Sequence, residues 1–195
     1  MCEQGEVEAH SAADAAALLA QGATLVRHAH QMRRTLSPTR YDDPDIAAFH
    51  PDATPPVAWA DALPAFLSAY PPDHSDHMPG GEDLIESYLV PYTAGAKLGP
   101  LVCAASGLAV RDGYPYAGIL VVDRPGEGAW VCDIWRDPSP EYAGVGHRLL
   151  DWAASRLDGF DSLGLVVTAG NDRALRAYER AGFNIESTTW RFRLP

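Results

Sequence analysis

The second half of the chain, residues 98–195, has the pattern that most limits the fold. Three short runs rich in apolar and β-branched residues come first, over 100–113, 116–128 and 129–138, each bounded by Gly, Pro or Asp. Such runs joined by short turns predict antiparallel strands. A helix, a strand, a helix and a last strand follow, and strand–helix–strand connections are typical of parallel pairing. The predicted fold class is therefore α/β (α+β), with a central mixed antiparallel and parallel sheet flanked by helices.

Both helices of that half carry signals for their position. The helix predicted over 146–157 has apolar residues at helical spacing, which gives it one buried stripe. These residues are Leu149, Leu150, Ala153 and Leu157. In the second helix, Asn171 is a favoured N-cap residue and Gly182 lies just past the end. The helices therefore connect the third run to strands predicted over 161–170 and 183–195.

The first half, residues 1–97, is rich in Ala, Pro, His and Asp. Ser11 is a favoured N-cap residue for an alanine-rich helix that stops at Gly22. Prolines punctuate the next part of the chain and predict loops there. The predicted elements are a helix over 11–21, a short strand over 23–29, a loop over 37–56 and helices near 57–70 and 81–96.

The segment PEYAGVGHRLL, residues 140–150, joins a predicted strand to a predicted helix. The first N–H groups of a helix have no partner within it, and the helix dipole adds positive charge there, so anions bind well. Gly144 and Gly146 would let a phosphate approach the backbone, but they equally suit a plain tight turn. Leu149 stands where a dinucleotide fingerprint needs its third glycine, and no nucleoside triphosphate loop is present.

Composition limits the classes of partner and compartment. The 195 residues are 47% hydrophobic and 21% charged, which is typical of a globular protein. The net charge of -11 argues against nucleic acid as a partner, because phosphate binding needs a basic surface. Cys2, Cys103 and Cys132 are too widely spaced for a disulfide framework or a zinc site. With no secretory signal and no apolar run long enough for a bilayer, we expect a cytoplasmic protein without membrane contact.

Two segments of the second half together resemble the GNAT superfamily of N-acetyltransferases. EYAGVG, residues 141–146, is similar to the family's pyrophosphate loop, [QR]-x-x-G-x-[GA], with Glu141 in place of Gln or Arg. NDRALRAYERAGF, residues 171–183, is similar to the family segment in which an Asn opens a helix that carries a Tyr and ends at Gly-Phe. The resemblance implies a GNAT-like fold and acetyl-CoA-dependent N-acetylation of a primary amine by direct attack in a ternary complex.

The same resemblance implies acetyl-CoA as cosubstrate, with no metal. Three strand residues would pair their backbone with the pantetheine arm, and five loop residues would donate N–H groups to the pyrophosphate. The cofactor-binding residues that it implies are Ile134, Trp135, Arg136, Ala143, Gly144, Val145, Gly146, His147 and Asn171. Tyr178 would be the general acid that protonates the leaving thiolate. The structural alternatives are an N-cap role for Asn171 and a core position for Tyr178.

Direct attack also needs a base, because a protonated amine is not a nucleophile. Asp133 lies in the third run among apolar residues, where burial is expected to raise the pKa of a carboxyl. Glu127, just before that run, is the second candidate. A solvated strand position is the alternative for Asp133. Ping-pong transfer through Cys132 or Cys103 is a further alternative, although cysteines in apolar strands are more often inert.

The resemblance also implies how the chain is organised. We expect a single acetyltransferase domain over 1–195, with 98–195 as the acetyl-CoA-binding core and 1–97 as a divergent acceptor-side half. The acceptor is expected to be a small amine-bearing molecule. PPDHSDHM, residues 71–78, suits a divalent ion or, as we prefer, a polar wall of the acceptor pocket. The chain ends soon after Phe183, so a last strand is missing or comes from a partner subunit in a homodimer.

One alternative belongs to another functional class. A catalytically silent acyl-CoA-binding regulatory module would need the same phosphate loop, and Glu141 within that loop favours it. The two functions share the cofactor site and differ in whether an amine is acetylated.

Overall fold

The computed structural model describes residues 5–195, so Cys2 lies outside the described residues. The chain forms two compact units. Of the described residues, the terminal unit contains 5–33 with 165–195, and the central unit is residues 34–164. The single domain with halves 1–97 and 98–195 remains a prediction, and the compact units divide the chain at other positions.

The described chain contains eight strands and five α-helices. The strands are β1 (Glu6–Ala9), β2 (Thr24–Thr35), β3 (Ile46–Ala48), β4 (Gly107–Arg111), β5 (Tyr114–Arg124), β6 (Gly128–Arg136), β7 (Ser162–Thr168) and β8 (Asn184–Arg193). The α-helices are α1 (Ala12–Ala20), α2 (Trp59–Ala69), α3 (Val90–Thr93), α4 (Val145–Ala154) and α5 (Asp172–Arg180), and a π-helical turn over Ile85–Leu89 precedes α3. Within residues 5–195, no helix is long and apolar enough to cross a membrane.

In the terminal unit, β8 is the middle strand, with β1 and β2 antiparallel on its two sides. Ser11 caps α1 with its side chain, as the sequence predicts. Three small residues, Ala9, Ala15 and Ala23, form a core cluster with the fully buried Phe192. Both neighbours of β8 belong to this chain, and the expectation of a missing last strand, or of one supplied by a partner subunit, stays a prediction.

In the central unit, β3, β4, β5 and β6 form an antiparallel ladder in that order, and β7 is a parallel neighbour of β6. Leu108 of β4 packs in the cluster that contains α2, whereas a Cβ on the preceding Gly107 would meet Trp152 of α4. Successive strand residues point to opposite faces, so α2 and α4 cover opposite faces of the sheet. A mixed sheet flanked by helices is the predicted fold class, which is confirmed.

Aromatic side chains fill the core between α2 and the sheet. The ring of Trp135 on β6 lies 5.3 Å from that of Phe66 on α2, edge to face. Gly118 pairs directly with Trp135, and a Cβ at Gly118 would lie 2.3 Å from the Trp135 ring. Only glycine permits this packing. The Trp135 side chain is therefore committed to the core, and any contact with a cofactor must come from its backbone.

The structure differs from the predicted elements at four places, the first of which is the unpredicted strand β1. β2 runs for 12 residues to Thr35, beyond the predicted 23–29, because its polar second part is held by pairing with β8 rather than by an apolar pattern. The predicted loop over 37–56 contains the short edge strand β3. The helix predicted near 81–96 is the π-helical turn followed by α3.

Candidate active site

The open edge of β6 is the first feature of the site. β6 pairs with β5 along its length, from Gly128 to Arg136. Its parallel pairing with β7 is limited to two positions, Ala129↔Leu163 and Trp130↔Gly164. From Val131 to Arg136, no strand of the central unit pairs with that edge of β6. Ile134, Trp135 and Arg136, which the sequence implies as a cofactor-binding strand, lie on this open stretch.

A β-bulge lies at the start of the open stretch. Leu120 pairs with Asp133 and Val121 with Val131, so Cys132 is the extra residue. A bulge bends the strand and re-aims the neighbouring side chains. The Cys132 thiol donates to the Leu120 carbonyl at 3.4 Å, and burial raises its pKa. A thiol held in its protonated form is a poor nucleophile, which argues against ping-pong transfer through Cys132.

Asp133 is buried beneath helical segments that come from the first half of the chain. Its side chain is on the α2 face, and the residue is only 7% exposed. Tyr70, which follows α2, donates its hydroxyl to Oδ1 at 2.6 Å. Tyr88, in the π-helical turn, donates to Oδ2 at 2.9 Å. The alternative of a solvated strand position for Asp133 is therefore wrong.

Burial dominates the ionisation of this carboxyl. It raises the pKa of Asp133 from the ordinary 3.8 to about 6, against the lowering effect of hydrogen bonds from Tyr70 and Tyr88. The sequence predicts this direction from the apolar neighbours of Asp133. Above pH 6 the group is ionised and accepts protons, which is the state that a general base needs.

Glu127 lies at the other end of β6. It belongs to the turn between β5 and β6, where its N–H donates to the Arg124 carbonyl at 2.9 Å. A strand rises about 3.3 Å per residue, which separates Glu127 from Asp133 by about 20 Å. The two candidate bases are therefore not part of one site.

The glycine loop follows the open end of β6. Pro140–Tyr142 forms a 3-10 turn, and Gly144 is the N-cap of α4 with a left-handed φ of 86°. That conformation favours glycine, because other residues meet their own backbone there. A Cβ built on Gly144 or Gly146 meets nothing within 4 Å. The loop therefore presents bare backbone to an open approach.

The N–H groups of this loop fall into two sets. Those of Ala143 and His147 donate to the carbonyls of Pro140 and Gly144. Within the described residues, the N–H groups of Gly144, Val145 and Gly146 have no hydrogen-bond acceptor. Three unpartnered donors at the start of a ten-residue helix are suited to a phosphate group. Of the five implied loop donors, the structure leaves these three available.

Side chains of the central unit hold the loop in place. Val145 is fully buried, and Arg148 donates through Nη1 to the buried Asp43 at 2.6 Å. Arg148 also donates through Nη2 to the Tyr116 hydroxyl at 3.1 Å. The Tyr116 ring stacks on Tyr142 of the 3-10 turn, with centroids 4.3 Å apart. The first turn of α4 and the preceding 3-10 turn are therefore anchored to the same network.

The other two implied residues lie in the terminal unit, on one segment. Asn171 is the N-cap of α5, and its Oδ1 accepts from the Ala174 N–H at 3.1 Å. Tyr178, on α5, is half-buried, and its ring lies 6.1 Å from that of Phe183. The N-cap alternative for Asn171 is thus present, and it leaves the amide nitrogen of that side chain for other contacts.

The family of the chain is shown by its sequence. A family model described as the acetyltransferase (GNAT) family matches residues 59–183, which is well over half of the chain. The chain belongs to the GNAT acetyltransferase family. Membership implies acyl transfer from an acyl-CoA, with acetyl-CoA as the family cosubstrate. No curated protein matches the sequence.

Solved GNAT structures share the fold at low sequence identity. A GCN5-related N-acetyltransferase from Sphaerobacter thermophilus is 21% identical with a TM-score of 0.66, covering 97% of this chain and 60% of its own. A GNAT acetyltransferase from Colwellia psychrerythraea is 14% identical with a TM-score of 0.58, covering 97% and 64%. A GCN5-related N-acetyltransferase from Kribbella flavida is 18% identical with a TM-score of 0.52, covering 97% and 68%. The chain thus spans about two thirds of these proteins or less.

Sequence reasoning missed the tyrosines beside Asp133. Tyr70 and Tyr88 precede it by 63 and 45 positions, so no local motif of the GNAT family connects them. It also missed the bond between Arg148 and Asp43, which spans 105 positions. In the loop PPDHSDHM, His74 accepts from the Asp76 N–H and His77 contacts the Tyr70 carbonyl, while a role as a wall of the acceptor pocket stays a prediction. Those contacts place the loop beside the tyrosine that binds Asp133.

Proposed function

We propose that this chain is an N-acetyltransferase that transfers acetyl from acetyl-CoA to a primary amine by direct attack. The observation that carries the proposal is a buried carboxyl, Asp133, on the stretch of β6 whose edge is open. The glycine loop follows that stretch within ten residues and offers three unpartnered N–H groups. An open strand edge and a helix N-terminus suit the amide-rich arm and the pyrophosphate of acetyl-CoA, respectively.

Cofactor binding and proton transfer are assigned to different residues of the site. The backbone of Ile134, Trp135 and Arg136 and the N–H groups of 144–146 would hold acetyl-CoA, which supplies an activated acetyl thioester. Asp133 takes the proton from the attacking amine, since it is ionised above pH 6. Glu127 is left without a role, because the length of β6 separates it from Asp133. Asn171 and Tyr178 keep the binding and acid roles that the family resemblance implies.

The charge of the chain near Asp133 favours a cationic acceptor. Residues 71–87, which contain the loop at Tyr70, carry no Lys or Arg. Their acidic residues are Asp73, Asp76, Glu82, Asp83 and Glu86. Acidic walls raise the local concentration of cations and speed their arrival. A small molecule bearing an amine, protonated in solution, is therefore the acceptor class that we propose.

Two measurements test the function. Calorimetry should show binding of acetyl-CoA, and an assay of released thiol should show turnover with members of a panel of small amines. Binding without amine-dependent thiol release would contradict the transferase and support the silent acyl-CoA-binding module. Absence of binding would contradict both functions, since both depend on the glycine loop.

A pair of glycine variants tests the phosphate site. We expect Gly146→Ala to keep the stability of the fold and to weaken acetyl-CoA binding about tenfold, because its methyl group occupies the open approach to the N–H groups. Gly144→Ala is the matched variant and should lower the stability by about 1–2 kcal/mol, because φ is 86° there. Thermal unfolding and calorimetry measure the two effects. Unchanged acetyl-CoA affinity in Gly146→Ala would place the phosphates elsewhere.

Tyr178→Phe tests the general acid. The change removes only the hydroxyl and keeps the ring beside Phe183. We expect turnover to fall about 10²-fold with acetyl-CoA affinity nearly unchanged, because the proton supplied to the leaving thiol is lost. Steady-state kinetics and calorimetry on the same preparation separate the two quantities. An equal loss of turnover and affinity would mean that Tyr178 is structural.

A further inference from the structure

Both oxygens of the Asp133 carboxylate accept hydrogen bonds, and the two donors belong to different segments of the chain. Tyr70 Oη donates to Oδ1 at 2.6 Å and lies 3.2 Å from the Ile134 carbonyl. Tyr88 Oη donates to Oδ2 at 2.9 Å. The first tyrosine follows α2, and the second belongs to the π-helical turn. Two segments of the first half thus fix one side chain of β6.

The packing of the two tyrosine rings leaves each hydroxyl little freedom. Phe66 lies between them, with its centroid 5.3 Å from the Tyr70 ring and 6.0 Å from the Tyr88 ring. Tyr92 lies 4.7 Å from Tyr88 on the other side. Burial and the nearby Asp133 raise the pKa of Tyr88, so this hydroxyl stays protonated and donates. The two donors are therefore pre-arranged around the carboxylate.

An ionised carboxylate has about four acceptor positions, and the two tyrosines fill two of them. The Ile134 N–H also favours the ionised form by hydrogen bonding, which leaves one position for the proton of a substrate. Fixed donors also reduce the rotation of the carboxylate, which keeps an unused lone pair in one direction. A base that is buried and fixed in this way transfers protons in a defined geometry.

We propose that Tyr70 and Tyr88 are positioning residues that orient the Asp133 carboxylate and hold it ionised for deprotonation of the acceptor amine. This inference rests on the proposed function. In the step concerned, an N–H bond of the amine breaks and an O–H bond forms on Asp133, which becomes a neutral acid. The nitrogen lone pair forms the new N–C bond as the C–S bond of the thioester breaks, and the leaving coenzyme A thiolate takes a proton from Tyr178, the proposed acid. Asp133 later releases its proton to water. Tyr70 and Tyr88 keep their protons throughout.

The other ionisable groups near Asp133 come from three segments. Asp76 of the loop after α2 raises the pKa of Asp133 by repulsion, and Cys132 is its neighbour on β6. His74 and His77 contact Tyr70, through its ring and its carbonyl respectively. Tyr92 of α3 lies against Tyr88. Of the groups named, Tyr70 and Tyr88 are the ones whose side chains donate to the carboxylate.

Tyr70→Phe and Tyr88→Phe test the proposal through the pH dependence of kcat/KM. Each variant loses a donor that favours the ionised carboxylate, so the pKa of Asp133 should rise. We expect the acidic limb of the kcat/KM profile to move to higher pH by about one unit in each variant. The rate at low pH would then fall about tenfold, while the rate at pH 9 stays within about twofold of the parent. Tyr114→Phe is the control, because it removes a similar bond to Asp137, at 2.8 Å.

A second readout does not depend on turnover. With carboxyl-labelled aspartate, carbon NMR should show the Asp133 signal, assigned by its loss in Asp133→Asn, titrating at higher pH in both variants. If the parent is active and the acidic limb of the kcat/KM profile stays in place in both variants, the positioning role is wrong and the proposed function is unaffected. This holds whether or not the NMR midpoint moves. A parent with no turnover on any amine overturns the proposed function and this inference with it. Loss of rate by the same factor at every pH would mark the tyrosines as merely structural and overturn the proposal.

Discussion

Asp133→Asn is expected to lower kcat by about 10²–10⁴-fold and to remove the acidic limb of the pH profile near pH 6. The amide has nearly the same shape, and its oxygen still accepts a tyrosine proton, so the site stays assembled. What is lost is the ability to take a proton from the amine. The measurement is kcat and kcat/KM between pH 5 and pH 9, with acetyl-CoA affinity followed by calorimetry.

Asp123→Asn is a matched control, because Asp123 is an exposed carboxyl on the neighbouring strand. It should leave the rate and the limb unchanged. If Asp133→Asn retains more than about a tenth of the parent rate with the limb in place, another group or a water chain acts as the base.

The same variant carries a prediction about stability. The pKa of Asp133 is raised in the folded state, from 3.8 to about 6, so the protonated form is favoured by folding. Its contribution is therefore fully present below pH 3.8 and is lost as the pH rises through 6. A pKa difference of about two corresponds to about 3 kcal/mol. Relative to the parent, Asp133→Asn should gain stability between pH 4 and pH 8, as denaturant unfolding at both pH values would show.

Much of the fold follows from local pattern. The three apolar runs, the apolar stripe over 146–157 and the caps Asn171 and Gly182 predict β4, β5, β6, α4 and α5, because period and punctuation are read within a few residues. The polar second part of β2 is different, since Arg33 is held in the sheet by an ion pair with Glu186, 2.9 Å away. No pattern within the strand reports a partner that lies so far along the chain.

In the candidate site, too, some residues could be predicted from local sequence and others could not. Gly144 and Gly146 alone suit a plain turn, and the prediction of a phosphate loop comes from the resemblance of residues 141–146 and 171–183 to the GNAT family. The raised pKa of Asp133 was predictable from its apolar neighbours on β6, as alternation buries one face of a strand. The tyrosines that fix it were not, because packing of the first half against the sheet decides which hydroxyls reach Asp133. Such contacts depend on tertiary structure and leave no fixed spacing in the sequence.

The second large effect is expected at Arg148. Arg148→Met should lower the free energy of unfolding by about 3 kcal/mol, because it leaves the Asp43 carboxylate buried without its cation. The Asp43 side chain is 3% exposed, and Arg148 is its ion-pair partner at 2.6 Å. In a chain of this size, that change corresponds to a fall in Tm of about 6–12 °C. Arg148 lies in the first turn of α4, so acetyl-CoA affinity should fall as well.

Two further variants make the Arg148 prediction specific. Arg40→Met removes an exposed pair with Asp42, 3.9 Å apart, and should change the stability by less than about 0.5 kcal/mol. Adding Asp43→Asn to Arg148→Met removes the uncompensated buried charge and should restore part of the lost stability. A double-mutant cycle measures this coupling. The coupling matters for function, because the same arginine bonds to Tyr116, which stacks on the turn before the glycine loop. Additive losses in the cycle would mean that the loop is held by the burial of Val145 rather than by this ion pair.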